Sequence, residues 1–441
     1  MPASFLGVSI EWTSVEPFGG AARPGVVGLL RRVSRAAGAP LALRVGGASA
    51  EEAWWNPAGR ARPPSIRQDL GPRTLDALAR LARGLDAPVT VGLNLQLGDP
   101  ANALALARAA QRRLGGRLDA LEVGNEPDLY TTARDVGPPP VRRLRKRERY
   151  TPGDYVRDAG RFLEAVVPGL PRPPWSVVGG FAGRAGWAER ALPALIDSRR
   201  GLVGSVSAHL YALPRCALDP EDPGGLRGRL LALAASEGRA GSLATVFHIA
   251  HRRGLPIRVS ELNSVPCGGA PGVSDTFAAA VWLADALFAL LRAGADRVHV
   301  HTWDGAVYGL FARAGATVRA RPPFYGLLAF ARAAPRGSRL VPVRVTGAGP
   351  RALRARATVD RARTVRLALL AASTARRVRV RVPVAPGRPC ATLRLTTAPG
   401  PGARAGIAER GPRRHCPRAG AIALALPGAS LAVLELPARR P

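Results

Sequence analysis

The chain has 441 residues, of which 47% are hydrophobic, a composition that is typical of a folded globular protein and excludes intrinsic disorder. Its 64 Lys and Arg residues exceed its 31 Asp and Glu residues, which gives a formal net charge of +33. Because the arginines are spread over the whole length and not gathered in one patch, we expect no nucleic-acid partner. The sequence contains no run of about 18 uncharged apolar residues, so we also expect no membrane span.

Short apolar runs alternate with amphipathic segments over the first three quarters of the chain. Eight runs rich in Val, Ile and Leu are typical of buried parallel strands, at 5–12, 40–47, 88–95, 118–124, 175–180, 204–211, 255–261 and 296–303. Between some of them lie segments with helical periodicity, at 70–85, 102–114, 154–167 and 274–292. Eight strand–helix units in about 335 residues predict a (β/α)8 TIM barrel, and an open doubly wound sheet is the alternative.

The pattern changes after residue 336, where alternation of apolar and polar residues replaces helical periodicity. Segments 364–369, 377–382 and 421–426 alternate as half-buried strands do, and Pro/Gly clusters separate strands in this part of the chain. Three arginines alternate with three valines in 377–382, which predicts a strand with a basic outer face. We therefore predict two domains, an α/β barrel over residues 1–335 and a C-terminal all-β sandwich over residues 336–441.

Two glutamates lie where predicted barrel strands end. Glu126 follows the fourth strand within Gly-Asn-Glu-Pro, and Glu261 ends the seventh strand. Barrel active sites are assembled at the carboxyl ends of the strands, so both carboxylates are expected at the barrel mouth. Two facing carboxyl groups can cleave a glycosidic bond, one as a proton donor and the other as a nucleophile or base. The alternative is that each glutamate is a salt-bridge partner for one of the many arginines.

Six segments carry motifs that occur together in one known family. They are FLGVSIEW at 5–12, LRVGGASAEEAWW at 43–55, EVGNEPDLY at 122–130, SAHLY at 207–211, RVSELNSVPCGGAPGVSDTFAAAVWLADALF at 258–288 and RPPFYGLLAFARAAP at 321–335. Together they resemble glycoside hydrolase family 79, which contains β-glucuronidases and heparanase-like enzymes. The resemblance implies a (β/α)8 barrel with a C-terminal β-sandwich, a retaining mechanism, and no metal or other cofactor.

The resemblance also implies roles for individual residues. By position within the motifs, Glu126 would be the general acid/base and Glu261 the nucleophile. Asn125 would hydrogen-bond the 2-hydroxyl of the sugar, and Tyr211 would orient Glu261 or line the sugar subsite. Tyr308, in the loop after the eighth strand, is the candidate for holding a carboxylate of the substrate.

Further polar and aromatic residues are expected to line the sugar pocket. His209 lies near the end of the sixth strand, and His301 and Trp303 lie at the end of the eighth. His299 completes a set of three histidines that could imitate a metal site, but no carboxylate or thiolate spacing accompanies them, so we predict a polar lining and no metal. Ala48 stands where relatives often carry Asn, so one sugar contact is expected to be missing or moved.

The four cysteines allow two disulfides. Cys216 and Cys267 follow neighbouring strands, and Cys390 and Cys416 lie in the predicted sandwich, so we expect the pairs Cys216–Cys267 and Cys390–Cys416, with free thiols as the alternative. Two bridges suit a secreted or extracytoplasmic protein, which the resemblance also favours. No signal peptide is visible in the sequence as given, so a cytoplasmic location stays open. The basic run RRLRKRER at 142–149 is predicted to be a solvated insertion, and an extension of the cleft toward a polyanion is the alternative.

The sequence therefore predicts a retaining, metal-independent glycoside hydrolase that acts on β-linked glucuronides through Glu126 and Glu261. The expected partner is a carbohydrate, either a glucuronide or a glycan that contains uronic acid. Three alternatives stay open: an endo-acting heparanase-like enzyme on acidic polysaccharide, another retaining specificity such as arabinofuranosidase, and a non-enzymatic carbohydrate-binding protein. The sequence does not indicate an oligomeric state.

Overall fold

A computed structural model describes residues 1–2, 4–131, 149–171, 175–213, 216, 220–232, 235–347 and 352–438, with the backbone alone at 134–136, 141–143 and 374–376. Within these ranges the chain forms a closed barrel of eight parallel strands, followed by a six-stranded antiparallel sheet. This arrangement confirms the predicted fold class. Most of the basic run at 142–149 lies outside the described residues.

The barrel strands coincide with the eight predicted apolar runs to within a few residues. They are β1 (Leu6–Glu11), β2 (Ala42–Gly46), β3 (Val89–Leu93), β4 (Leu118–Val123), β5 (Trp175–Phe181), β6 (Ser205–Tyr211), β7 (Ile257–Asn263) and β8 (Arg297–His301). Strands that follow each other in the chain are neighbours in the barrel, and β1 pairs in parallel with both β2 and β8, which closes it. Since helices cover the outer surface, the strands are buried on both faces and read as continuous apolar runs.

Each barrel strand is followed by one main helix, and some connections also contain a shorter one. The helices are α1 (Arg23–Ala37), α2 (Pro72–Leu85), α3 (Pro100–Leu114), α4 (Pro152–Val166), α5 (Trp187–Ser198), α6 (Ala244–His251), α7 (Phe277–Ala293) and α8 (Pro322–Ala333). The first turn of α4 illustrates how the sequence starts a helix: Thr151 and Asp154 form a capping box, and Pro152 needs no hydrogen-bond acceptor there. No helix in the described part of the chain is both long enough and apolar enough to cross a bilayer.

Shorter elements decorate the loops around the barrel. The short α-helices are Val15–Gly19, Pro223–Leu230 and Glu237–Gly241, and the 3-10 helices are Trp12–Ser14, Ala48–Glu52, Gly115–Arg117 and Pro127–Leu129. Three two-stranded pairs join Ala53–Trp55 to Gln68–Leu70, Arg134–Val136 to Val141–Arg143, and Phe311–Ala314 to Thr317–Ala320.

The C-terminal unit is one sheet in the order β9-β10-β11-β14-β12-β13. Its strands are β9 (Arg339–Val341), β10 (Leu353–Val359), β11 (Val365–Pro383), β12 (Ala391–Thr397), β13 (Ala408–His415) and β14 (Ala421–Leu436). The predicted strands at 364–369 and 377–382 are both parts of β11. The apolar alternation of β11 is interrupted where its register against β14 shifts between Ala372 and Arg377, which made one strand read as two.

The core of this unit forms on one face of the sheet. Leu369 and Val380 come from opposite halves of β11, and Leu424 and Leu434 from opposite halves of β14, yet all four belong to one apolar cluster. One face of this single sheet therefore carries the core of the C-terminal unit. Apolar residues on its other face, such as Leu431, join the barrel core instead.

Candidate active site

Glu126 lies in a tight turn that follows β4. Its backbone is left-handed (φ 48°, ψ 52°), a conformation that costs a residue with a side chain roughly 1–2 kcal/mol. Gly124 also has a positive φ, and a Cβ there would lie 2.8 Å from Cδ2 of Leu95. The N–H of Glu126 donates to the carbonyl of Gly180 at 2.9 Å, which ties this turn to the end of β5. The turn directs the Glu126 side chain into the barrel mouth.

Glu261 lies inside β7, two residues before its last residue, and not at the strand end that the sequence predicted. The strand continues because Leu262 and Asn263 still pair with β6. Both carboxylate oxygens of Glu261 accept hydrogen bonds, Oε1 from Arg44 Nη1 at 2.8 Å and Oε2 from the Tyr211 hydroxyl at 2.7 Å. These donors hold the carboxylate in a single orientation.

The structure brings the two glutamates together across one cleft. His209 lies between them, with Nδ1 3.1 Å from Glu126 Oε1 and 3.7 Å from Glu261 Oε2. One carboxylate oxygen of each glutamate and one ring nitrogen of His209 lie within 4.8 Å of one another. Both glutamates are buried, with exposed fractions of 7% and 4%. The two carboxyl groups therefore share one small, largely dehydrated space.

Neighbouring charges keep Glu261 ionised. Burial opposes ionisation, but the charges of His209, His301 and Arg44 together with the hydrogen bond from Arg44 lower the pKa of Glu261 well below its usual range. Burial and the nearby negative charge of Glu261 raise the pKa of Tyr211 well above its ordinary value, so its hydroxyl stays protonated and donates. Burial lowers the pKa of His209, but the two glutamates outweigh this effect and raise it.

Arg44 is a central residue that the sequence analysis missed. Besides Glu261, its guanidinium donates to Glu122 Oε2 at 2.5 Å, to Ser9 Oγ at 3.0 Å and to Asn125 Oδ1 at 3.0 Å. A signal for it was present, since Arg44 and Glu122 are charged residues inside apolar strand runs, and a buried charge requires a partner. The oxygen of Asn125 is occupied by this contact, which leaves its Nδ2 as the group that can donate to a ligand.

A second missed residue, Glu51, supports the turn that carries Glu126. Its Oε1 accepts from the N–H of Asn125 at 2.6 Å and from the hydroxyl of Tyr130, and its Oε2 accepts from the N–H of Gln96 at 2.9 Å. Glu51 therefore joins the loops that follow β2, β3 and β4. It was overlooked because nothing in its local sequence distinguishes it from an exposed loop glutamate.

A third missed carboxylate, Glu11 at the end of β1, lies on the other side of the cleft. It accepts from the N–H groups of Ala48 at 3.2 Å and Ser49 at 2.7 Å, and its Oε1 lies 3.4 Å from His301 Nε2. Gly47 makes this approach possible, because a Cβ there would lie 2.4 Å from Glu11 Oε1. The predicted pocket residue His301 and the noted position Ala48 both line the cleft.

The remaining predicted residues form the rim of the same cleft. Trp303 Nε1 donates to the Tyr308 hydroxyl at 2.9 Å, and the ring centroids of Tyr308 and Tyr211 are 6.3 Å apart. Cys267 lines the cleft and forms a disulfide with Cys216, which links the loops after β6 and β7. All eight predicted catalytic and substrate-binding residues thus lie in or next to one site.

Two residue sets lie elsewhere. His299 is buried deeper in the barrel, where a Cβ on Gly7 would lie 2.4 Å from its Cδ2, so it does not line the cleft. Cys390 and Cys416 form a disulfide in the C-terminal sheet. The structure therefore separates His299 from the polar lining formed by His209 and His301.

Three potential ligand atoms for a metal ion lie close enough together, one each from Glu126, His209 and Glu261. Both oxygens of Glu261 already accept hydrogen bonds, however, and the Arg44 guanidinium beside them repels a cation. The donor set therefore suits acid–base and nucleophilic chemistry better than metal binding.

Two curated proteins are similar to the chain in sequence, whereas no family model matches it. The β-glucuronidase of Neurospora crassa is 25% identical over 366 residues, which cover 74% of this chain and 63% of that protein. The β-glucuronidase of Aspergillus niger is 26% identical over 226 residues, which cover 48% of this chain and 40% of that protein. The matches thus span less than two thirds of the length of either relative.

Solved structures show a similar fold over nearly the whole chain. The 4-O-α-L-rhamnosyl-β-D-glucuronidase of Fusarium oxysporum 12S has a TM-score of 0.76 at 18% identity and covers 98% of this chain and 96% of its own. The GH51 arabinofuranosidase of Xanthomonas axonopodis pv. citri has a TM-score of 0.70 at 14% identity and covers 99% and 96%. The barrel with its appended sheet is therefore a fold that glycoside hydrolases share.

Proposed function

We propose that the chain is a retaining glycoside hydrolase that cleaves β-linked glucuronides. The observation that carries this proposal is the buried pair Glu126 and Glu261, which have oxygens within 4.8 Å of each other across one cleft. Retaining glycosidases place their two carboxyl groups about 5–5.5 Å apart, whereas inverting enzymes need about 6.5–9.5 Å to admit a water molecule between them. The short separation supports double displacement.

In the first step, Glu261 is the nucleophile and Glu126 the acid. An oxygen of Glu261 bonds to the anomeric carbon while the bond from that carbon to the leaving oxygen breaks, and Glu126 gives its proton to the leaving oxygen. Arg44 and Tyr211 support this role, because they keep Glu261 anionic and correctly oriented.

In the second step, Glu126 acts as the base. Its carboxylate takes a proton from water as the water oxygen bonds to the anomeric carbon, and the ester bond to Glu261 breaks. His209, 3.1 Å from Glu126, favours the carboxylate form that this step needs when its ring is protonated. The sugar leaves with its original anomeric configuration.

The preference for glucuronides rests on the relatives and on charge. The two curated relatives are named β-glucuronidases, and one structural neighbour is a rhamnosyl-glucuronidase. The net charge of +33 attracts an anionic substrate over long range. We propose that Tyr308 holds the carboxylate of the sugar, since its hydroxyl lies at the rim near Glu261 and Trp303 fixes it. Arabinofuranosidase activity is the second candidate, because arabinofuranosidases share the fold.

A panel of aryl glycosides tests the proposal. We expect the β-glucuronide to have a higher kcat/KM than the β-glucoside, the β-galactoside and the α-L-arabinofuranoside, and NMR to detect the β-anomer of glucuronic acid first. A preference for the arabinofuranoside would overturn the specificity and leave the mechanism intact. An α-anomer as the first product would overturn retention. Cleavage of an acidic polysaccharide without cleavage of the aryl β-glucuronide would favour the endo-acting alternative.

A further inference from the structure

A basic groove lies between the barrel helices and the C-terminal sheet, apart from the catalytic cleft. We define it by Arg35, Arg332, Arg366, Arg394 and Glu435, which line a cavity of about 650 Å³. No residue of the catalytic cleft lines it. The groove is therefore a second concave surface with a lining of its own.

The groove lies at the end of the barrel opposite the two glutamates. Arg35 is in the last turn of α1, and Arg332 is in the last turn of α8. Barrel helices run back toward the amino ends of the strands, whereas the catalytic glutamates lie near the carboxyl ends. A short ligand cannot occupy both places, so the basic groove is not a subsite of the cleft.

The sheet presents polar groups to the groove in fixed register. Glu435 on β14 lies opposite Arg366 on β11 and opposite Thr392 on β12, and the next lining row pairs Val433 with Arg394. Directly opposite residues on neighbouring strands have Cβ atoms about 4.5–5.5 Å apart. Guanidinium, carboxylate and hydroxyl groups therefore lie side by side on this wall, where Arg366 Nε is 3.4 Å from Glu435 Oε2.

The positive charge of the groove is not fully neutralised. The side chains of Arg35 and Arg394 are exposed and make no hydrogen bond or ion pair to any residue that the structure describes. Arg332 donates to Glu409 at 3.0 Å, but burial and the nearby charge of Arg394 lower the pKa of the Arg332 guanidinium. Arg35 and Arg394 therefore leave positive charge in the groove with which a bound anion can pair.

The lining also indicates what kind of anion fits. None of the residues that line the cavity is aromatic, so nucleobases would find no stacking surface. Thr392 and Glu435 can hydrogen-bond the hydroxyl groups that a saccharide carries. Arginine forks bind carboxylates and other oxyanions of similar geometry bidentately.

We propose that the basic groove binds an acidic saccharide through its carboxylate or sulfate groups. This binding does not depend on the proposed catalytic activity, because the groove and the cleft lie at opposite ends of the barrel. A saccharide held in the groove would tether the protein to an acidic glycan and leave the cleft free.

Fluorescence anisotropy of short labelled oligosaccharides tests the proposal on the full chain. The oligosaccharides come from hyaluronan, which carries carboxylates, and from heparin, which also carries sulfates. The variant Arg35→Glu/Arg394→Glu changes the groove. Arg73→Glu/Arg161→Glu is the matched control, since it changes the net charge equally at exposed arginines on α2 and α4 that have no partner among the described residues. We expect the groove variant to bind at least about tenfold more weakly, because hydrogen bonds to charged groups are each worth roughly that factor. The control should stay within about threefold, since exposed charges contribute little.

Three results would overturn the proposal: no binding of either oligosaccharide, equal loss in both double variants, or equally tight binding of a DNA oligonucleotide with the same sensitivity to the groove variant. Weaker binding of hyaluronan than of heparin would identify sulfate as the preferred group. Hydrolysis of an aryl glycoside should be unchanged in both variants. Protection of Arg35 and Arg394 from phenylglyoxal by the oligosaccharide, read by mass spectrometry, locates the contact independently of any substitution.

Discussion

Two ionic clusters between strands of the described barrel are opposite in composition, one fully buried and one with a half-buried carboxylate. Near the carboxyl ends of the strands, Arg44 lies between two carboxylates, Glu122 at 2.5 Å and Glu261 at 2.8 Å. Near the amino ends, the carboxylate of Asp119 lies between Arg258 at 2.9 Å and Arg297 at 2.6 Å. One cluster is thus a cation held by two anions, and the other is an anion held by two cations.

The clusters also differ in what surrounds them. Arg258 and Arg297 find their further acceptors within the protein, in Thr90 at 3.1 Å and in the carbonyl of Ser4 at 3.1 Å. Glu261, in contrast, lines a cleft that Glu126 also lines. Removing one partner from a cluster that the protein satisfies by itself leaves an uncompensated charge and costs stability, whereas a charge that faces an open cleft is available for chemistry. Substitutions in the two clusters should therefore separate activity from stability.

The largest expected effect is that of Glu261→Gln. The amide keeps the size of the side chain but cannot attack the anomeric carbon, so we expect kcat/KM for an aryl β-glucuronide to fall roughly 10⁵-fold or more, as for loss of other covalent nucleophiles. Glu189→Gln, an exposed position on α5, is the control and should leave kcat/KM unchanged. Near-normal turnover by the Glu261 variant would refute its role as nucleophile.

Glu126→Ala should have an effect that depends on the leaving group. Loss of a general acid costs about 10²–10⁴-fold when the leaving oxygen needs a proton. A dinitrophenyl group leaves as a stable anion, so the burst of its release should be nearly normal while the later hydrolytic step is slow. Stopped-flow kinetics with both classes of substrate measure this difference. An equal loss in the first step for both classes would contradict the role as acid/base.

Arg44→Met should lower kcat by about 10²–10³-fold, the effect of removing one preorganised donor. The variant also loses the positive charge that lowers the pKa of Glu261, so this pKa should rise. The acidic limb of the kcat/KM profile should therefore move to higher pH, whereas the wild-type protein should stay active below the ordinary glutamate value. Arg44→Lys keeps the charge and should shift the limb less. An unchanged limb in both variants would show that Arg44 does not act through Glu261.

The smallest effect on turnover is expected for Asp119→Asn, at the other cluster. Removal of this carboxylate leaves Arg258 and Arg297 buried without a counter-charge, and we expect a loss of about 2–4 kcal/mol in the free energy of unfolding, with kcat/KM unchanged. Denaturant unfolding measures this loss. Asp76→Asn, in an exposed pair with Arg113, is the control and should cost less than about 0.5 kcal/mol.

The pH dependence of stability gives a second test of the Asp119 cluster. The two arginines outweigh burial and lower the pKa of Asp119, so its stabilisation is complete above the ordinary aspartate value and is lost as the pH falls through the folded value. The Asp119→Asn variant should therefore lose less stability than the wild type on acidification.

A loss of turnover in Asp119→Asn comparable to that in Arg44→Met would contradict the division of activity and stability between the two clusters.

Local sequence patterns determined much of this protein. Buried strands covered on both faces read as continuous apolar runs, so the eight barrel strands were visible from residues that lie close together in the chain. Gly124 and Pro127 flank the turn that carries Glu126, so the place of this turn after β4 was also visible. The expectation that Glu126 and Glu261 face each other followed from the closure of a barrel, in which the carboxyl ends of all strands meet.

Tertiary structure alone decided which charges pair. Arg44 and Glu261 are 217 positions apart, and Glu51 and Asn125 are 74 apart, so no local period relates them. Likewise, β11 reads as two strands, and only its pairing with β14 on both sides of the register shift shows that it is one strand. The physical reason is that hydrophobic periodicity reports which side of an element faces the core. The partner of a buried charge, in contrast, depends on which distant element the closed barrel brings beside it.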